Sequence, residues 1–128
     1  MPKYPSKEEI LAHSDLLTKQ DITILKTWKK TKQHCNLNCL LLFHLAKSFG
    51  KEIDVYVSNK YAYHPRLNSI SLDASHPSII STLHEIGHAK FGPNELLACA
   101  WSVQMFRAVF PKAYAKLKWR GHMLVKGN

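Results

Sequence analysis

Hydrophobic positions recur at helical spacing along most of the chain, broken once by a short stretch that alternates every two residues. Ser6-Lys7-Glu8-Glu9 carries the capping-box pattern, with Glu9 three positions after Ser6, and Ile10, Leu11, Ser14 and Leu17 predict a short amphipathic helix behind it. A second helix is predicted over residues 21–32, with Ile22, Leu25 and Trp28 along one side. Asn36-Leu37-Asn38 interrupts or restarts the helical pattern. Leu37, Leu40, Leu41, His44 and Leu45 then predict a third helix, which Gly50 stops.

After Gly50 the period changes. Ile53-Asp54-Val55-Tyr56-Val57 alternates and is rich in β-branched residues, so it reads as a strand, and Ser69-Ile70-Ser71-Leu72 reads as a second. Residues 61–68, with Pro65 and mixed polarity, read as a loop or irregular turn between them. A small antiparallel sheet follows from these two strands, covered on one face by helices. Asp73-Ala74-Ser75-His76-Pro77-Ser78 has the polar residues and proline of a helix start, and Ile79, Leu83 and Ile86 supply the inward stripe of the helix behind it. Gly92-Pro93 ends that helix. Asn94 caps the next one, placing Glu95 in its first turn and an apolar surface from Leu97 to Phe110 along it; Pro111 ends or kinks this helix. The expected fold class is α+β and mainly helical. One domain is expected over residues 1–128, with helices in 1–50 and the sheet and metal-site helices in 51–110.

The chemistry concentrates in His84-Glu85-Ile86-Gly87-His88. Two histidines four apart project from one side of a helix, the geometry that grips a single Zn²⁺ through two imidazoles. Glu85 follows the first histidine and is placed to act as general base on a zinc-activated water during amide hydrolysis. Gly87 permits close packing under the metal helix. Glu95 is the expected third ligand, because the Gly92-Pro93 turn can fold its helix back; the competing role is a carboxylate stabilising its own helix N-terminus. His76 is the main rival ligand and His64 a weaker one, whereas His44 reads as a core or boundary histidine. Tyr61, Tyr63, His64 and Arg66 are candidates for stabilising charge on the substrate carbonyl, and the strand at 69–72 for pairing with an extended peptide.

These residues resemble the gluzincin branch of zinc metallopeptidases, and the compact form is similar to small zincin domains of the ImmA/IrrE type and related phage or mobile-element proteins. The resemblance covers residues 53–106. It implies His84, His88 and Glu95 as zinc ligands, Glu85 as the general base, a small sheet packed on the metal-bearing helices, and hydrolysis of a protein or peptide substrate. The turn between His88 and Glu95 is shorter than is usual in that group.

Charge adds a second reading. The chain of 128 residues carries 18 Lys and Arg against 9 Asp and Glu, a formal charge of +9. No acidic residue follows Glu95, while Arg107, Lys112, Lys116, Lys118, Arg120 and Lys126 do. Such a balance favours acidic partners, nucleic acid or an acidic protein surface, and a merely solvated basic face accounts for the same residues equally well. The alternative function is a nucleic-acid-associated or regulatory binding protein with a structural or inactive zinc site. Three cysteines, Cys35, Cys39 and Cys99, argue against a disulfide scaffold; Cys35 and Cys39, with His34, could share a helix face, but ordinary reduced thiols are the simpler reading. No transmembrane association is expected, because the apolar runs fall far short of the roughly 20 residues that cross a bilayer. The charged start of the chain reads as cytoplasmic.

Overall fold

Five of the described α-helices open on a capping side chain, and the last opens on a proline. The structure, a computed structural model, describes residues 4–32 and 36–126. Helix α1 (Lys7–Ala12) opens on the Ser6–Glu9 capping box. Helix α2 (Lys19–Lys32) follows a single 3-10 turn, and α3 (Cys39–Phe49) starts at Asn38, whose side chain accepts from the Leu41 amide at 3.0 Å. Helix α3 buries Leu42, Leu45 and Ala46 and turns Leu40 out to solvent. The inward stripe thus lies one step round from the predicted one. The run Leu40-Leu41-Leu42-Phe43 is apolar on every side, so its period does not choose a face.

Strand β1 (Asp54–Ser58) pairs in parallel with β3 (Ser69–Asp73), and β2 (Ala62–His64) pairs antiparallel on the other side of β3. The sheet is mixed, in the order β1-β3-β2, which corrects the antiparallel sheet predicted from two strands. The segment at 61–68, predicted as a loop, supplies the third strand. Residues 59–61 carry the chain past the end of β3. This reach is feasible because four extended Cα steps span roughly 13 Å while two strand spacings need about 9.6 Å. Since β3 is central, it offers no free edge to a peptide, and the earlier assignment of 69–72 as a docking strand is replaced.

Helices α4 (Ile79–Phe91) and α5 (Glu95–Val109) form an antiparallel hairpin behind the sheet. Leu83 and Ile86 are fully buried, each worth about 1.5–3 kcal/mol of apolar transfer. A Cβ added at Gly87 would stand 3.1 Å from both the Cα and the carbonyl oxygen of Ala98, so glycine sets how closely the two helices approach. Helix α5 is buried from Ala98 through Phe106. Its Trp101 donates from Nε1 to Asp21 of α2 at 3.1 Å, and Lys90 of α4 reaches the same carboxylate at 3.3 Å. Three helices are thus cross-linked by one polar knot at the margin of the apolar core, where Lys90 reaches solvent.

Pro111 opens a further short helix, α6 (Pro111–Ala115), and the basic tail folds into an antiparallel hairpin of β4 (Leu117–Arg120) and β5 (Met123–Lys126). Its turn contains Gly121 at φ 62, in the left-handed region that favours glycine. Among the described residues, no helix is long and apolar enough to cross a membrane.

Candidate metal centre

The centre begins with the start of α4. Ser78 caps that helix through a hydrogen bond from the Ser81 amide at 3.2 Å. Tyr61 fixes the approach: its hydroxyl donates to the His76 carbonyl at 2.7 Å and accepts from the Ser78 amide at 2.8 Å. Two turns later His84 and His88 leave the same side of α4. The Gly92-Pro93 turn then reverses the chain, with Gly92 at φ 77, and Asn94 caps α5 by accepting from the Leu97 amide at 3.1 Å.

Glu95 consequently faces both histidines. Its Oε1 lies 2.9 Å from His84 Nε2 and its Oε2 lies 3.0 Å from His88 Nε2. The far nitrogens are also engaged. His88 Nδ1 donates to the Gly92 carbonyl at 2.9 Å, and His84 Nδ1 lies 3.7 Å from the Cys99 thiol. With its Nδ1 proton given to the Gly92 carbonyl, His88 presents an Nε2 lone pair to a carboxylate oxygen, itself an acceptor. A cation relieves that opposition, either a second proton on the ring or an ion shared by the three side chains, whereas His84 also meets Glu95 as a neutral ring with its proton on Nε2. The donor set, two imidazoles and a carboxylate with one atom from each lying within 4.8 Å of the others, can hold a metal ion.

The proton shifts follow from the same contacts. Hydrogen bonds to His84 and then His88 hold the Glu95 carboxyl well below the usual carboxylate range. The bond to Glu95 raises His88 against the opposing effect of its burial. Glu85, 8% exposed, is pushed up chiefly by burial, partly offset by the neighbouring imidazoles. Among the described residues its carboxylate has no hydrogen-bond donor, so it is desolvated and uncommitted. Burial pushes the Cys99 thiol up to about 12, which keeps it protonated at neutral pH.

A cavity of about 320 Å³ opens over His84, Glu85 and Glu95. Its walls are largely apolar, with Ile80 from α4, Val103 from α5 and Leu124 from β5. His122, at the hairpin turn, faces the same cavity and stacks on Tyr4 with ring centres 4.2 Å apart.

The other predicted residues divide. Tyr63 stacks on His88 at 5.9 Å, and Tyr61 lines the cavity although its hydroxyl is already committed. His64 stacks on Tyr56; its Nε2 is buried without a partner among the described residues, close enough for its charge to act on Glu85. His76 is exposed, bonded to Ser75 at 2.9 Å and lying 3.3 Å from Asp73, and takes no part in the cluster. Arg66 is exposed on a 3-10 turn and does not line the cavity. His44 points outward from α3 and is not a core residue. Cys39 contacts the Asp73 carbonyl at 3.8 Å, while Cys35 and His34 lie outside the described residues. Two residues of the centre were not singled out from the sequence as part of it: Cys99 and His122. Cys99 stands four positions after Glu95, on the same face of α5, and that spacing is a signal. His122 has no comparable local signal.

Comparison with family models, curated proteins and solved structures gave no match to this chain.

Proposed function

We propose that the chain is a zinc-dependent peptide hydrolase of gluzincin-like design, with His84, His88 and Glu95 holding the ion and Glu85 acting as general base. The reading is carried by the Glu95 carboxylate, each of whose oxygens faces an imidazole Nε2 at 2.9–3.0 Å. When bound, Zn²⁺ supplies a Lewis acid that polarises an amide carbonyl and makes a water acidic near neutral pH.

The chain's own residues do the rest. The Gly92 carbonyl and the Cys99 thiol orient the two rings so that the Nε2 atoms stay free for binding. Glu85 takes a proton from the attacking water and returns it to the departing amine; its desolvated carboxylate is a stronger base than an exposed one. Strand β2, whose Tyr63 stacks on His88, lies at the edge of the sheet and offers backbone groups to an extended peptide, the role expected earlier of residues 69–72.

A structural ion fits these residues less well. Structural zinc sites close with four protein ligands, whereas three donors gather here and the Cys99 thiol lies on the Nδ1 side of the His84 ring.

Zinc analysis of the purified protein together with turnover of a randomised peptide library tests the reading. Wild type is expected to carry about one Zn²⁺ per chain and to cleave library peptides, and Glu85→Gln to keep the metal and lose the cleavage. Equal cleavage by both proteins rejects Glu85 as the base. Absence of tight zinc in a folded, unchelated sample rejects the whole assignment.

A further inference from the structure

The positive charge of the chain is gathered by aromatic rings. Lys29 of α2 stands 5.0 Å from the Phe110 ring centre and donates to the Val109 carbonyl at 2.8 Å. Arg107 of α5 lies 5.9 Å from the Tyr114 ring, and Lys7 of α1 lies 5.8 Å from the Trp119 ring. Three rings of the C-terminal segment therefore each hold a cation from a different helix. Between and beyond them Lys112, Lys116, Lys118 and Arg120 are exposed.

Among the described residues no carboxylate forms an ion pair with a cation of this ridge. No carboxylate follows Glu95 in the sequence, and Glu95 belongs to the metal cluster. Glu8 and Glu9 share the short helix α1 with Lys7. Among the described residues, Lys90 with Asp21 forms the only ion pair made by a lysine or arginine, and it lies at the core knot.

We propose that this ridge, from Lys29 across α6 to Arg120, binds the phosphodiester backbone of a nucleic acid. Binding would be independent of base sequence and separate from the hydrolytic reading of the metal centre. The surface chemistry favours this partner over the other polyanions. Protein interfaces carry an apolar centre, and peripheral membrane binding needs apolar side chains to insert. Of the exposed large hydrophobic side chains only Met123 lies on these elements, and it lines the cavity. Between Lys112 and Lys116 the exposed residues are Ala113 and Ala115. Dense cations without an apolar centre match a phosphate backbone, whose binding is driven by counterion release.

Fluorescence anisotropy with labelled DNA of about 20 base pairs, and a single strand of that length, tests the proposal at salt from about 50 to 200 mM. Wild type is expected to bind at the low end, with affinity falling steeply and linearly on a log–log plot. Lys116→Glu/Lys118→Glu/Arg120→Glu should weaken binding at least about tenfold and flatten the duplex slope by about 3. Lys19→Glu/Lys51→Glu/Lys60→Glu changes net charge equally away from the ridge and should stay within about threefold of wild type. Circular dichroism and zinc content check folding, and the corresponding triple glutamine variant replaces the glutamate one if that fails to fold. Equal loss in the ridge and control variants overturns the proposal, as does no binding at low salt. Tighter binding to polyglutamate or to phosphatidylserine vesicles than to DNA also overturns it.

Discussion

His88 and Glu95 meet with Nε2 and Oε2 3.0 Å apart, while the other nitrogen of the same ring is tied to the Gly92 carbonyl at 2.9 Å. One turn of chain thus presents the carboxylate and also aims the imidazole at it. The separation of seven positions is long enough because Gly92 reverses the chain at once and Asn94 restarts a helix.

Replacing any of the three donors should therefore act on metal before it acts on folding. His84→Ala, His88→Ala and Glu95→Gln should each lower zinc affinity by more than the roughly 10–100-fold typical of an outer contact. Competition with a chromophoric chelator measures it. An unchanged affinity in Glu95→Gln would return that residue to a helix-terminus role.

Without metal, the same cluster makes stability depend on pH from both sides. His88 is raised above its ordinary 6.5, first by the bond to Glu95. Its contribution is therefore complete below that value and lost as pH rises through the folded one. Glu95 is lowered below its ordinary 4.5, first by His84, so its contribution is present above 4.5 and lost as pH falls toward the folded value. The Tm of the metal-free protein should accordingly peak between about pH 5 and 6.5 and decline toward pH 9. Zinc should raise Tm most on the alkaline side, where ligands are deprotonated. Thermal scans with and without chelator across this range read both effects, and a flat metal-free profile would contradict the cluster's coupling.

Cys99 should matter for position rather than reactivity. Cys99→Ala removes the group behind His84 and should weaken zinc binding about tenfold, whereas Cys99→Ser, which keeps a hydrogen-bonding atom, should recover part of the loss. A Co²⁺-substituted spectrum separates the two outcomes, since a change confined to packing leaves the ligand-field bands in place.

Gly87→Ala tests the helix contact itself. The new methyl would meet the Ala98 backbone, which cannot rotate away, so α4 must shift. A loss of about 1–3 kcal/mol in urea denaturation is expected, with weaker zinc binding as the helices separate. A neutral or stabilising result would mean that the two helices move apart without cost.

The parts legible in the sequence are those fixed by neighbours along the chain. The caps at Ser6 and Asn94, the stop at Gly92-Pro93 and the His84–His88 pair each depend on residues within about one helical turn. The parallel pairing of Asp54 with Ser69 and the three-residue strand at Ala62–His64 depend on contacts across the sheet. A two-residue alternation gives each strand a face but no direction. The hairpin at the C-terminus left a usable trace, Leu117 and Trp119 alternating with Lys118 and Arg120 before Gly121. The meeting of His122 with Glu85 over one cavity left none, because α5, α6 and a hairpin turn intervene.

All three donors and the backbone group that aims one of them lie between His84 and Glu95, in an unbroken run of chain. The spacing of that run is consequently a tuned length. One residue inserted at Pro93 would have to be absorbed by the turn or would swing Glu95 about 100° around its helix, away from both rings. Binding would then fail with every ligand still present.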